Sequence, residues 1–433
     1  MAIYYPKGHK VPLANGAYAQ IIEKLGEGGQ GVVYKVSVGG KEYALKWYHK
    51  GAVQNVKKFY ANLQNNVAKG APTKAFLWPQ YLTKQVDDSF GYIMELRPGN
   101  YREFSEFLLA KVHFASLTAA VNAALNITNG FRQLHRNGFS YQDLNDGNFF
   151  IDPDTGEVLI CDNDNVAPYG ESLGIAGKAR YMAPEVVRNI TRPNVMTDRF
   201  SLTVVLFRLL FLDHPLEGRR VAEAPCLTEE LELKFYGKQP VFVYDPDDSS
   251  NRPVRGVHAN VVRFWPMYPK FIRDKFVEAL SKEAMSGKRP RPTDNDWQQC
   301  FTRLRGSIVT CACGEETFLT PGEDSFCINC GRKIPKPPVL NCHSGKYDLP
   351  LFPGVKLYRC HVDKLSDDYT EILGEVVRNP NNPGIWGLRN LSDMVWNAET
   401  LDGELRPVGK GQIAPVMQIK AIHFPNGLGI IEK

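Results

Sequence analysis

At 433 residues the chain is too long for one compact core, and two or three domains are expected. Its apolar content of 43% excludes wholesale disorder, and a net charge of +5 over this length gives no reason to expect a nucleic-acid or membrane partner. Nine cysteines are too few for a disulfide scaffold; four of them lie close together at metal-ligand spacing, which fits a reducing compartment. Met1 to Lys10 has no apolar stretch of the secretory kind, and the apolar run Leu202 to Leu212 is broken by Arg208, so a cytoplasmic location is expected.

Taken in chain order, residues 20 to 48 alternate strand-like runs with the cluster Gly26 to Gly31 and a turn at Gly39-Gly40, which predicts a hairpin plus a third strand. Residues 51 to 67 carry a helical pattern, and Tyr92 to Leu96 a strand. Residues 103 to 137 and 197 to 212 have helical periodicity, and a last helix is expected from Asp294 to about Leu304. Residues 311 to 332 form a cysteine-paired knuckle, followed by a stiff linker marked by Pro335, Pro337 and Pro338. From Leu351 onward, short apolar runs separated by Asn, Pro and Gly predict an all-β module. The expected division is 1–305, 306–334, a linker over 335–350, and 351–433.

Within this frame, Gly26-Glu27-Gly28-Gly29-Gln30-Gly31-Val32-Val33 fits G-x-G-x-x-G-x-V. Such glycines let a hairpin turn lie over phosphates with its N–H groups facing the oxygens, although glycine-rich hairpins are also common without ligands. A dinucleotide site would need a helix after the glycines, and Val32 to Val36 reads as strand. Ala44-Leu45-Lys46 follows on the next strand, where a lysine can reach phosphates or be an ordinary surface residue. Further on stand Tyr141-Gln142-Asp143-Leu144-Asn145-Asp146-Gly147-Asn148, the apolar run Val158 to Cys161 ending in Asp162-Asn163-Asp164, and Met182-Ala183-Pro184-Glu185.

In this order, the motifs over roughly residues 18 to 305 resemble those of the protein-kinase superfamily. The resemblance implies an α+β bilobal fold, with a β-rich N-terminal lobe and an α-rich C-terminal lobe, that binds ATP with Mg²⁺, or Mn²⁺ in its place, and transfers phosphate to serine or threonine of a protein substrate. It implies nucleotide contacts from Gly26, Gly28, Gly31, Val33, Ala44 and Lys46, with Glu95-Leu96 as the hinge after Met94. Asp143 would orient the acceptor hydroxyl and take its proton, and Asn148 and Asp162 would hold the metal. Asp198 would anchor the catalytic-loop backbone, and Glu185 would pair with Arg291.

The chain also departs from that pattern. No acidic residue lies between Lys46 and Asp87, where a helix glutamate normally holds the lysine. Gln64 is the expected substitute, with Asn62 and Asn65 as alternates, and Asp162 the expected nearest anion. Tyr141 and Gln142 replace the His-Arg pair, so no arginine waits for an activation-loop phosphate, and activity is expected without phosphate on Tyr169, Ser172 or Tyr181. Asn145 stands where a lysine is usual, and Lys178 where a threonine is. A binding-only pseudokinase is the alternative, and a small-molecule kinase a third reading.

The strings Phe76 to Pro79, Phe90 to Leu96, Cys161 to Val166 and Pro215 to Gly218 resemble the bacterial kinases of the tellurium-resistance phosphorylation triad. That likeness implies a metal-dependent protein phosphatase and a von Willebrand factor A-domain protein as partners.

Cys311-x-Cys313-Gly314 and Cys327-x-x-Cys330-Gly331 can deliver four thiolates to one structural Zn²⁺. Reduced thiols, or two disulfides in an oxidising setting, are the alternatives. Cys342-His343 and Cys360-His361 suggest ordinary buried cysteine more than a second site. Residues 351 to 433, through Ile385 to Ser392, Trp396 and Val416 to Phe424, resemble a divergent forkhead-associated β-sandwich. Gly374 is followed by Glu375, Asn390 by Leu391, and Ser-x-x-His is missing, so protein docking is expected there rather than phosphothreonine reading.

Overall fold

The computed structural model describes residues 4–86, 88–174 and 177–433; Met1 and Asp87 lie outside them. The chain forms two compact units. The first comprises 1–115, 126–262 and 276–295, and the second 116–125, 263–275 and 296–433.

The first unit begins with a six-stranded antiparallel sheet in the order Lys10–Pro12, Tyr18–Glu27, Gly31–Val38, Lys41–Tyr48, Gly91–Met94, Tyr81–Leu82. Strand alternation sorts Lys41–Tyr48 onto two faces. Tyr43, Leu45 and Trp47 enter one apolar cluster with Val11, Ile21, Val32 and Ile93. Ala44 and Tyr48 enter another with Tyr92, Met94, Leu77 and Phe59, and Lys46 shares their face. Each fully buried large side chain here contributes about 1.5–3 kcal/mol. Gly31 is required by close approach, since a Cβ there would lie 2.2 Å from the Trp47 carbonyl oxygen.

The helix Val56–Lys69 packs Phe59 and Leu63 inward, and Asn55 caps it through Lys58 N–H. The region 103–137, expected as one helical stretch, is Phe104–Leu108 and Leu117–Arg136 with a break between. The break follows from Ala110 at φ 55° and from Ser116, whose hydroxyl accepts from Ala119 N–H and starts the longer helix. Val195–Phe211 is capped by Asn194 and buried almost all round, Arg208 included. Among the described residues no helix is long and apolar enough to cross a membrane.

In the second unit two hairpins, Ile308–Thr310 with Glu316–Phe318 and Ser325–Phe326 with Lys333–Ile334, carry the paired cysteines. Glu316 accepts from the Thr118 N–H and hydroxyl at 2.7 Å each, capping the first turn of Leu117–Arg136 with a negative charge. The C-terminal part holds a six-stranded sheet and a four-stranded sheet, both antiparallel. The stretch 335–350, expected as a linker, instead contributes two strands to the larger sheet. Val339–Cys342 pairs with Tyr347–Pro350 on one side and with Gly427–Glu432, the end of the chain, on the other.

Candidate active site

Lys46 projects from the sheet opposite Tyr92 in register, two residues before Tyr48 on the same face. Its ammonium lies 3.0 Å from Asp162 Oδ1, 2.9 and 3.2 Å from the two oxygens of Asp164, and 3.1 Å from Gln30 Oε1 of the glycine turn. Burial alone would lower the Lys46 pKa, but Asp164 and then Asp162 reverse this and hold it above the ordinary lysine range. Asp164 is sealed from solvent and also accepts from the hydroxyls of Tyr48 at 2.6 Å and Tyr92 at 3.1 Å. Burial, followed by that carboxylate, pushes both phenols well above their usual pKa.

The expected amide partner is not there. Gln64 is exposed, and Asn62 and Asn66 donate instead to the Val166 carbonyl at 2.8 and 3.0 Å. Sequence reasoning missed Asp164, Tyr48 and Tyr92. The one signal available was physical: a buried ammonium demands a carboxylate, and with none on the helix it had to come from another segment.

Asp162 begins a turn of 3₁₀ helix with φ 54° and ψ 40°, a left-handed conformation that Asp tolerates better than most residues. Asn163 pins the turn by donating to the Leu77 and Ile160 carbonyls at 2.9 and 2.8 Å. The Tyr141 hydroxyl faces the Cys161 and Asp162 carbonyls from below, and Tyr141 N–H donates to Asp198 at 2.7 Å. Two acids against one lysine leave a net negative cluster, with the Asp162 side chain 42% exposed, which suits a divalent cation.

Asp143 and Asn148 are brought together by a tight turn. Asn148 Oδ1 accepts from Asn145 N–H at 2.6 Å, and Asn145 Nδ2 donates to Asp143 Oδ1 at 3.2 Å. Burial raises the Asp143 pKa, opposed by Asn145 and by Lys178. Lys178 donates to Asn145 Oδ1 at 3.0 Å and lies 3.8 Å from Asp146, which Arg208 also pairs at 2.9 Å. A Cβ at Gly177 would meet Asp143 Oδ1 at 3.1 Å, a tight approach that a larger residue could keep only if the carboxylate shifted. A shallow cleft lined by Asp143, Lys178, Met182 and Ala183 opens beside the carboxylate.

Among the expected nucleotide contacts, Val33, Ala44, Met94 and Leu96 share one apolar cluster with Phe150 and Cys161. Glu95 is exposed beside Lys41. Gly26, Gly28 and Gly31 lie in the hairpin, and the Gly28 N–H is engaged by the Gly31 carbonyl at 2.9 Å. Gln142 donates to the Glu171 carbonyl at 2.6 Å and accepts from Leu173 N–H at 2.9 Å, so an amide ties down the following segment. Arg291 forms a two-pronged pair with Glu185 at 2.7 and 2.8 Å.

In the second unit the sulfurs of Cys311, Cys313, Cys327 and Cys330 lie within 4.8 Å of one another. Two of the separations are 3.8 and 3.7 Å. Four thiolates about 2.3 Å from a tetrahedral Zn²⁺ sit about 3.8 Å apart, so the cluster is compatible with that ion.

A family model of the protein kinase domain matches residues 19–240. Human ribosomal protein S6 kinase alpha-4 is 27% identical over 219 residues, covering 47% of this chain and 28% of the relative. The dual specificity protein kinase shkB of Dictyostelium discoideum is 26% identical over 277 residues, 60% of this chain and 38% of the relative. Serine/threonine-protein kinase Sgk1 of Xenopus tropicalis is 25% identical over 232 residues, 52% and 54%. The match thus spans between about a quarter and a half of these relatives' lengths.

Proposed function

The chain belongs to the protein kinase family, and from that premise we propose that it transfers the γ-phosphoryl group of ATP to serine or threonine hydroxyls of a protein. The observation that carries the reading is that Lys46 pairs with Asp162, while one tight turn holds Asp143 and Asn148 and the Asn148 carbonyl accepts from Cys161 N–H, next to Asp162, at 2.8 Å. Lys46, held protonated, presents a fixed positive charge to the phosphates. Asp143, with its pKa raised, faces the open cleft where an acceptor hydroxyl would enter, and takes its proton as the oxygen attacks. Lys178 supplies, from the activation segment, the positive charge beside Asp143 that Asn145 does not. Val33, Ala44, Met94 and Leu96 form the apolar slot for the base. Asp162 and Asn148 are the residues that would hold Mg²⁺, which neutralises phosphate charge when bound.

The four-cysteine cluster is read as a structural Zn²⁺ site, because four protein ligands leave no open position. The C-terminal sheets are read as a divergent forkhead-associated-like docking module, and the tellurium-resistance likeness proposes a phosphatase and a von Willebrand factor A-domain protein as cytoplasmic partners.

The test is transfer of label from ATP to protein with Mg²⁺, comparing the wild-type chain with Asp143→Asn. Transfer lost in Asp143→Asn supports the reading; nucleotide binding with no transfer in either protein would favour the pseudokinase alternative.

A further inference from the structure

Phosphoryl transfer of this kind requires two things to be in place together: a carboxylate that holds the nucleotide lysine, and the aspartate that holds the metal. The helix that normally provides the first, here Val56–Lys69, has no acid, and its inward amides are committed to the Val166 carbonyl. Three residues on one face of two neighbouring strands, Lys46, Tyr48 and Tyr92, instead form a socket. Asp164 fills it, each carboxylate oxygen taking one tyrosine hydroxyl and a share of the ammonium. A carboxylate fixed at both oxygens cannot rotate, so it orients the lysine as well as neutralising it.

We propose that Asp164 is the positioning residue for the nucleotide lysine, a role moved from the helix onto the metal-binding loop, so that lysine and metal ligand are set by the single segment 162–164. The inference rests on the kinase reading above. The two acids divide the work by exposure: Asp164 is sealed, whereas Asp162 is open to solvent on its other side. Asn163 between them is pinned to two backbone carbonyls, which couples both acids to one rigid turn. Moving the helix would leave the lysine pair intact; moving the loop would lose the pair and the metal ligand at once.

The experiment uses the full chain and Asp164→Asn, which keeps the shape and removes the charge. Three quantities are read: KM for ATP, the Mg²⁺ concentration for half-maximal rate, and the pH dependence of Lys46 sulfonylation by an adenosine bearing an amine-reactive sulfonyl fluoride, which leaves a sulfonamide on the lysine and releases fluoride. The change should raise KM on the order of ten- to a hundredfold and speed Lys46 sulfonylation near neutral pH, while moving the Mg²⁺ requirement by less than about twofold. Asp162→Asn should do the opposite, shifting chiefly the Mg²⁺ requirement. Asp164→Asn with wild-type KM and an unchanged sulfonylation profile overturns the proposal and leaves the kinase reading standing. A wild-type chain that neither binds nucleotide nor is labelled at Lys46 overturns the kinase reading. Should Asp164→Asn fail to fold, Tyr48→Phe/Tyr92→Phe removes the two hydroxyls that fix the carboxylate and is read in the same way, and a wild-type KM with an unchanged Lys46 labelling profile overturns the proposal.

Discussion

Lys46 and Asp164 are 118 residues apart in sequence and 2.9 Å apart in space, and that pair replaces the lysine–glutamate contact for which the chain has no glutamate. It also changes what the neighbouring helix is expected to do. Gln64 is exposed, and the ammonium is held by Gln30, Asp162 and Asp164 instead.

Gln64→Ala should therefore leave kcat/KM for ATP within about twofold, as an exposed substitution away from special contacts does. Lys46→Ala removes the phosphate contact itself and should cost at least a hundredfold, roughly 3 kcal/mol or more. Steady-state kinetics on both variants checks this. A Gln64→Ala loss as large as that of Lys46→Ala would restore the helix amide as the lysine's partner and count against Asp164.

Lys178 and Asn145 look like a transposed pair, the cation carried by the activation segment rather than by the catalytic loop. Lys178→Ala should lower kcat about tenfold, the worth of one hydrogen bond to a charged group, with little change in KM. The transposed variant Asn145→Lys/Lys178→Thr should recover most of that loss. Failure of the double variant to exceed Lys178→Ala would show that the site needs the cation on this segment alone.

Gln142 binds the backbone at Glu171 and Leu173, where a phosphate-clamping arginine would otherwise order the segment. Full activity is expected after phosphatase treatment. Tyr181 is buried and already part of the fold, so of the three candidate positions only Tyr169 and Ser172 are open to modification. Gln142→Ala should cost about 1 kcal/mol per lost backbone bond and reduce activity roughly tenfold or more. Kinetics on dephosphorylated protein decides it; an enzyme silenced by the phosphatase would refute it.

What the sequence disclosed and what it hid follow from the range of the contacts. The Asp143–Asn148 spacing closes within one turn, and the cysteine knuckles each close within four residues, so local spacing carried them. The alternation in Lys41–Tyr48 announces two faces because strand geometry has period two. The Lys46–Asp164 pair could not be read the same way, since it joins segments 118 residues apart that no local spacing relates. The misread linker has the same cause. Val339–Cys342 and Tyr347–Pro350 are four-residue strands among prolines, and their partner is the last strand of the chain.

One Zn²⁺ per chain is expected at Cys311, Cys313, Cys327 and Cys330. Cys327→Ser/Cys330→Ser should lose it in elemental analysis. The loss should spread, because Glu316 on the intervening hairpin caps the helix Leu117–Arg136. Loss of a cap costs about 1 kcal/mol, so the melting temperature should fall by a few degrees beyond the unfolding of the ribbon itself. Metal retained in the double variant would contradict the assignment.

His135 gives the pH prediction. Its ring nitrogens meet Asp294 at 2.8 Å and Asp198 at 3.1 Å, and the same Asp198 oxygen holds Tyr141 N–H. Burial alone would lower the His135 pKa, but Asp198 and Asp294 outweigh it and raise it to about 9 from the model-peptide value of 6.5. A folded-state pKa above the unfolded one means that the native state holds the proton more tightly. The stabilisation is therefore complete below about pH 6.5 and is lost as pH rises through about 9, amounting to roughly 3 kcal/mol. Burial also raises the Asp198 pKa, opposed by His135 and by the Tyr141 N–H. Thermal melts of the wild type should shift downward between pH 6.5 and 10, and His135→Gln should start lower and remove most of that slope. An undiminished slope in His135→Gln would place the titration elsewhere and leave the imidazole neutral between its two acids.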